Sequence, residues 1–154
     1  MSFKVYKGKP QINYFRKTDT TVRMANGSAV MLGATGRLLL PNNDSDDRVL
    51  GVLMGNAFVG ADTNGLFPVA LASEDVTWEV DVDSDGGAAA TDVGRFVAVD
   101  TTADTTLNEI RSQVDVSDSG IPHFYITEVV SATKVRGKFG RTALRQPQGD
   151  AYDS

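Results

Sequence analysis

The sequence predicts an all-β protein, a small antiparallel β-sandwich or barrel, on the basis of two alternating segments and a regular series of turns. Residues 76–82 alternate apolar and polar side chains around Trp78, which is typical of a strand buried on one face. A second alternation covers residues 134–139. Turn residues such as Asn26-Gly27 and Asn64-Gly65 recur roughly every 8–12 residues, which is the spacing of a sandwich or barrel.

Eight to ten short strands are expected from these signals. Asn26-Gly27 predicts a hairpin, because both residues accept a positive φ. Residues 106–116 fit either one short helical face or the end of a strand. The other predicted strands cover residues 29–32, 38–40, 49–59, 67–71, 95–100 and 124–130.

Composition excludes several classes of function. The chain has 154 residues, which suggests one domain, and no cysteine, so disulfides, thiolate metal sites and cysteine nucleophiles are ruled out. The first ten residues hold three lysines and no apolar run, so no signal peptide is expected there. No stretch approaches the roughly 18–20 apolar residues of a membrane span. We expect synthesis in a cytoplasm and no membrane partner.

Charge is distributed unevenly along the chain, whose net charge is −5. Residues 1–23 hold six cations and one acid, and residues 134–145 hold five cations and no acid, whereas residues 24–133 hold four cations and seventeen acids. The basic ends are either solvated segments or surfaces that dock on an acidic partner. The acidic body argues against a nucleic-acid partner.

Three segments follow from this pattern: an extended basic N-terminal arm (1–19), a β domain (20–141) and a flexible C-terminal tail (142–154). The arm is too apolar for a solvated tail, and its alternations fit a strand added to the sheet edge of a partner. The alternative is that it is the first strand of its own domain. The candidate partner-docking residues are Phe3, Lys4, Val5, Tyr6, Lys7, Lys9, Ile12, Tyr14, Phe15, Lys134, Arg136 and Lys138.

The last three of these residues share one face of a predicted strand. They form either a docking stripe or the lysine protection that edge strands carry against aggregation. The sequence leaves both interpretations open.

One acidic loop resembles the start of a calcium loop. Asp81, Asp83 and Asp85 precede Gly86, and Asp92 stands at the twelfth position. No helices are predicted to flank the loop, and its ninth position is an alanine without a side-chain oxygen. We interpret the segment as an acidic turn and expect no metal and no cofactor.

The sequence contains no recognisable pair of a catalytic base and a nucleophile. The single histidine, His123, follows Pro122 at the head of a predicted strand, and no nucleophile elbow accompanies it. A second acidic loop at residues 42–47 is interpreted as a solvated hairpin tip. We expect a protein that is not an enzyme.

Three runs, residues 91–97, 123–127 and 131–139, together with the pattern of residues 30–36, 49–52 and 67–70, resemble the capsid decoration (cement, head-stabilising) proteins of tailed bacteriophages. The resemblance covers residues 20–140 and implies a β-tulip-like domain that forms homotrimers on the outer surface of the virion and bridges major capsid subunits. It implies no active site. The alternative is a calcium-dependent carbohydrate- or ligand-binding β module on a virion or fibre.

Overall fold

Twelve β-strands and one turn of 3-10 helix (Ala90–Asp92) make up the part of the chain that the computed structural model describes, which is residues 3–16, 23–33, 36–41, 47–55, 65–83, 86–104, 109–119 and 121–140. Within these ranges no helix has the length and apolar character needed to cross a membrane. The strands are β1 (Lys4–Lys7), β2 (Ile12–Arg16), β3 (Arg23–Met24), β4 (Ala29–Leu32), β5 (Leu38–Leu39), β6 (Gly51–Leu53), β7 (Leu66–Leu71), β8 (Thr77–Asp81), β9 (Phe96–Asp104), β10 (Glu109–Ser119), β11 (Phe124–Ser131) and β12 (Lys134–Phe139).

The strands form two sheets, which confirms the predicted all-β sandwich. The seven-stranded sheet has the order β1-β8-β12-β11-β9-β10-β3, and the five-stranded sheet has the order β2-β7-β6-β4-β5. Neighbouring strands are antiparallel except β3 and β10, which pair in parallel. The described strands exceed the predicted eight to ten because two of them, β1 and β2, come from the N-terminal segment.

The principal core lies between the two sheets and is built from the apolar half of each alternation. Trp78 is fully buried, as predicted, and packs edge-to-face on Phe139 with ring centroids 5.7 Å apart. Phe3 and Phe124 complete this aromatic cluster, with 5.5 Å between their centroids. Four buried aromatic rings therefore meet at one place in the principal core.

The five-stranded sheet is buried on its second face as well. Val69 and Leu71 belong to a separate apolar cluster, whereas Ala70 between them faces the principal core. Gly51 on β6 allows β7 to approach closely, since a Cβ at this position would lie 2.2 Å from the carbonyl oxygen of Ala70. The second cluster consists of Met24, Val30, Leu38, Leu50, Leu53, Phe67, Val69 and Leu71.

The N-terminal segment is part of both sheets rather than an arm separate from them. β1 pairs with β8 at one end of the seven-stranded sheet, and β2 pairs with β7 at one end of the five-stranded sheet. Phe3 is only 4% exposed, because it fills the space between Phe124 and Phe139. The arrangement corresponds to the alternative in which this segment begins its own domain.

Asn26-Gly27 forms a turn, but the predicted hairpin is wrong. Gly27 has a φ of 86°, as expected, and the N–H of Ser28 donates to the carbonyl of Ala25 at 3.1 Å. The strands on either side, however, belong to different sheets, since β3 pairs with β10 and β4 pairs with β6. The turn is therefore a corner that carries the chain from one sheet to the other.

Two further predictions were refined by the structure. Residues 109–119 are a strand, which decides between the helix and strand interpretations for the described part of residues 106–116. β12 lies between β8 and β11, so the interpretation of its cations as edge protection is wrong. Parts of several earlier predictions lie outside the described residues: Asn64 of the second turn, residues 42–46 of the loop 42–47, residues 56–59 of the strand predicted over 49–59, residues 17–19 of the arm and the tail 142–154.

Candidate functional site: a charged and aromatic contact surface

A row of four alternating charges crosses the outer face of the seven-stranded sheet. The register places Lys4, Glu79, Arg136 and Glu128 opposite one another on β1, β8, β12 and β11. Lys4 Nζ lies 3.1 Å from Glu79 Oε1, and Arg136 Nε donates to Glu79 Oε2 at 2.9 Å. Arg136 Nη1 donates to Glu128 Oε1 at 3.0 Å. We call these four residues the charge ladder; directly opposed unlike charges stabilise strand pairing.

The ion pairs of the charge ladder shift the pKa values of its two inner members, Glu79 and Arg136. The hydrogen bond from Arg136 lowers the pKa of Glu79 below its ordinary value, with further help from Lys4 and against the effect of burial. Hydrogen bonds to Glu128 and Glu79 raise the pKa of Arg136. The Arg136 guanidinium also lies 3.7 Å above the ring of Tyr6, a cation–π contact that covers the ladder.

The other two cations of the predicted docking stripe are also engaged within the fold. Lys134 Nζ lies 3.7 Å from Glu79 Oε1 and 4.0 Å from Asp81 Oδ1. Lys138 Nζ donates to the carbonyl oxygen of Glu74 at 2.7 Å. The stripe on β12 is therefore largely compensated by the sheet's own acceptors, which the sequence pattern alone did not indicate.

An aromatic groove borders the charge ladder. Phe96 and Tyr125 are cross-strand partners whose ring centroids lie 5.1 Å apart, and they are 40% and 37% exposed. The chain leaves β12 at Gly140, where an added Cβ would lie 2.3 Å from the Phe96 ring. The groove has a volume of about 290 Å³ and is lined by Glu74, Phe96, Tyr125, Lys138, Phe139 and Gly140.

The edge formed by β2 is the most exposed apolar part of the described surface. Tyr14 is 62% exposed and Ile12 is 39% exposed, and Leu66 on β7 is 58% exposed. Phe15 points to the opposite face, where it packs against the second apolar cluster. A shallow groove of about 280 Å³ at this edge is lined by Tyr14, Phe15, Arg16, Gly36, Arg37 and Leu66.

Two carboxylates of the predicted calcium loop are used elsewhere. Asp92 accepts a hydrogen bond from the Ala89 N–H at 2.8 Å and forms an ion pair with Arg95. Asp81 is directed toward Lys134. Asp85 lies outside the described residues, and of the other three predicted side chains Asp81 and Asp92 have separate partners.

A different set of carboxylates gathers just beyond the C-terminal end of β8. Oxygen atoms of Asp83, Asp100 and Asp115 lie within 4.8 Å of one another. Burial, followed by the charges of Asp83, Asp115 and Asp118, raises the pKa of Asp100. Sequence reasoning missed this cluster because it depends on the long-range register of β9 with β10 and on the parallel bridge between Val82 and Val114.

His123 has a structural position. It is fully buried, and its Nδ1 accepts a hydrogen bond from the Val99 N–H at 3.0 Å. An Nδ1 atom that accepts a backbone N–H carries no proton itself. The imidazole therefore links β9 to the segment that precedes β11.

No protein-family model, no curated protein and no solved structure matches this chain. The geometry offers exposed aromatic and aliphatic side chains beside lysines and arginines, a composition that suits macromolecular contact.

Proposed function

We propose that this chain is a non-enzymatic structural protein that binds the outer surface of a bacteriophage capsid and stabilises it by bridging neighbouring major capsid subunits. The observation that carries the proposal is the position of residues 3–16. This segment contains four cations and no acid, and it supplies an end strand to each of the two sheets. A single basic flank thereby runs along both sheets of a protein whose net charge is −5.

Such a charge asymmetry orients a protein on an acidic surface. Lys7 and Lys9 are exposed on the basic flank, whereas the acids Asp83, Asp100 and Asp115 gather just beyond β8 and on β9 and β10. Complementary charge accelerates association and fixes orientation more than it adds affinity. The exposed Tyr14 and Ile12 next to these cations would then supply the apolar contact.

The sequence resemblance to decoration proteins supports the same function. Its three runs fall on the 3-10 turn with the start of β9, on β11 and on β12. β11 pairs with both β9 and β12, so the three runs form one continuous part of the seven-stranded sheet. The resemblance also motivates a homotrimer on the virion exterior, and a capsid reconstruction that contains isolated copies would contradict the trimer.

Binding to empty expanded shells of the encoding phage tests this function directly. We expect saturable co-sedimentation, density on the outer surface in a reconstruction, and shells that resist heating better when decorated. The double variant Lys7→Gln/Lys9→Gln should bind about tenfold more weakly at low salt, because the basic flank steers the encounter. Thr91→Glu/Thr102→Glu changes the net charge by the same amount at exposed sites on the 3-10 turn and on β9, and should bind normally. Absence of wild-type binding, or density inside the shell, would contradict the proposal.

The calcium-dependent module is retained as the alternative because one observation bears on it, the gathering of Asp83, Asp100 and Asp115. A binding module should show a saturable rise in melting temperature with calcium chloride, lost in Asp83→Asn. We expect no such rise, because the calcium loop predicted from the sequence has its Asp92 engaged by the Ala89 N–H and Arg95. A rise that survives in Asp81→Asn but not in Asp83→Asn would favour the alternative.

A further inference from the structure

The outer edge of the five-stranded sheet is an unusually regular strand. β2 pairs with β7 from Ile12 to Arg16 without a register shift, and in the described structure it is the last strand of its sheet. Natural edge strands are commonly blunted by bulges, prolines or central lysines. β2 has none of these within its five residues, whose sequence is INYFR.

The direction of the β2 backbone groups follows from one hydrogen bond. The Leu71 N–H donates to the carbonyl of Gln11 at 2.8 Å. Hydrogen-bonded pairs alternate along an antiparallel ladder, so Asn13 and Phe15 also direct their N–H and C=O groups toward β7. The N–H and C=O groups of Ile12 and Tyr14 consequently point away from β7, toward the side of β2 on which the described residues place no further strand.

Pro68 provides an independent check on this assignment. It lies opposite Tyr14 in the register and has no N–H to donate. Its carbonyl accepts from the Met54 N–H at 3.0 Å, on the side of β6. Both facts require the Tyr14–Pro68 pair to be of the kind without mutual hydrogen bonds, which leaves the Tyr14 backbone groups directed outward.

We infer that the β2 edge accepts an extended, acidic segment of a partner chain as an added strand. Main-chain hydrogen bonds to Ile12 and Tyr14 would provide affinity, and their exposed side chains would contact alternate residues of the added segment. Lys9 precedes the strand and Arg16 ends it, with no acid between residues 3 and 16, so acidic side chains on the partner complement this edge. That the partner belongs to a capsid subunit rests on the proposed function.

A second copy of β2 is a poorer occupant of this edge. Pairing two β2 strands would bring two cationic, acid-free segments together, and like charges across a strand pair are destabilising. A segment with alternating acidic and apolar residues avoids this repulsion and matches the apolar side chains of Tyr14 and Ile12.

Labelled heptapeptides test the edge without a shell. The probe alternates Glu with Val, and its counterpart alternates Lys with Val. We expect the acidic peptide to bind and to slow hydrogen exchange at the Ile12 and Tyr14 N–H groups, while the basic peptide binds at least about tenfold more weakly. Tyr14→Pro should weaken binding of the acidic peptide by about tenfold, which is the factor that corresponds to the loss of one hydrogen bond of roughly 1.4 kcal/mol. Tyr14→Val, which keeps the N–H, should bind more tightly than Tyr14→Pro.

Circular dichroism checks that Tyr14→Pro is folded, so that a loss of peptide binding is not attributed to unfolding of the variant. Equal binding of the acidic peptide by Tyr14→Pro and wild type would overturn the inference, as would equal binding of both peptides. A concentration-dependent dimer of the wild type that Tyr14→Pro abolishes would assign the edge to a second copy and also overturn it.

Shell binding then separates the inference from the proposed function. If Tyr14→Pro binds shells as well as wild type does, the capsid function stands and the β2 edge is rejected as the contact with the shell. Peptide binding by a wild type that ignores shells would retain the strand-accepting edge and reject the capsid function. Loss of both peptide and shell binding in Tyr14→Pro supports the two together.

Discussion

β1 and β2 are neighbours in sequence and both end a sheet, yet β1 is anchored and β2 is presented to solvent. β1 is preceded by the buried Phe3 and tied down by the ion pair of Lys4 with Glu79, and its register shifts between Val5 and Lys7. β2 runs without a register shift and leaves Tyr14 62% exposed. A bulged, lysine-bearing edge resists further pairing, whereas a regular apolar edge invites it.

The difference shows that equal alternation does not imply equal burial. Phe3 and Val5 have the same spacing as Ile12 and Tyr14. Phe3 meets the rings of Phe124 and Phe139, so its side of the segment is covered by the core. Tyr14 lies opposite Pro68 near the margin of its sheet, beyond the principal core.

The largest difference in stability is expected between two variants in which one or the other edge segment is replaced by a Gly-Ser segment of equal length. Replacement of residues 3–7 should destabilise the protein by at least about 5 kcal/mol, because the buried Phe3 ring and the Lys4–Glu79 ion pair are lost together. Replacement of residues 12–16 should cost about 2 kcal/mol, since Phe15 is the main contact removed. Urea denaturation measures both. Equal losses would show that the two edges are anchored alike.

A single substitution tests the same contrast more finely. Phe3→Ala should lower the free energy of unfolding by about 3–5 kcal/mol, since a buried ring is deleted from an aromatic cluster. Tyr14→Ala should change it by less than about 1 kcal/mol, since the ring is largely exposed. An unchanged denaturation midpoint for Phe3→Ala would mean that β1 detaches readily from the fold.

The sequence predicted the elements that depend on local periodicity. The alternation around Trp78 correctly indicated a strand with this ring in the core. The alternation of residues 134–139 correctly indicated β12. In each case the pattern of apolar residues along one strand determines which side chains face inward.

Pairing between distant strands was not predictable in the same way. The Asn26-Gly27 signal indicated a turn but not that its flanking strands separate into two sheets. The charge ladder and the Asp83–Asp100–Asp115 cluster depend on cross-strand register, which periodicity does not specify. The alternation in residues 3–15 likewise fits a strand in a partner's sheet and a strand in its own.

Glu79→Gln tests how much the ion pairs of Glu79 with Lys4 and Arg136 contribute to stability. It should destabilise the protein by roughly 1–2 kcal/mol at neutral pH, because the bonds from Arg136 and Lys4 lose their charged acceptor. The pKa of Glu79 is lowered in the folded state, so its contribution is complete above the ordinary value of 4.5 and is lost as pH falls through the lowered folded value. The gap between wild type and variant should therefore close in acid.

Glu128→Gln is the matched control for this pH dependence. Glu128 occupies the outer end of the charge ladder, and its side chain is 53% exposed. Solvent screens such a pair, so we expect a loss of less than about 1 kcal/mol. Thermal unfolding of the three proteins between acid and neutral pH gives both comparisons. A gap for Glu79→Gln that persists in acid would show that its carboxylate is not the source of the stabilisation.

The smallest effects on stability are expected for substitutions of the two exposed tyrosines, Tyr6 and Tyr14. Tyr6→Leu should destabilise the fold by less than about 1 kcal/mol, because it removes the ring that lies 3.7 Å from the Arg136 guanidinium while keeping apolar bulk. Tyr14→Leu should leave stability unchanged, since its ring is 62% exposed, and should weaken binding of the acidic peptide. Paired melting and peptide-binding measurements check both variants. If Tyr6→Leu reduced peptide binding while Tyr14→Leu reduced stability, the roles assigned to the two edges would be reversed.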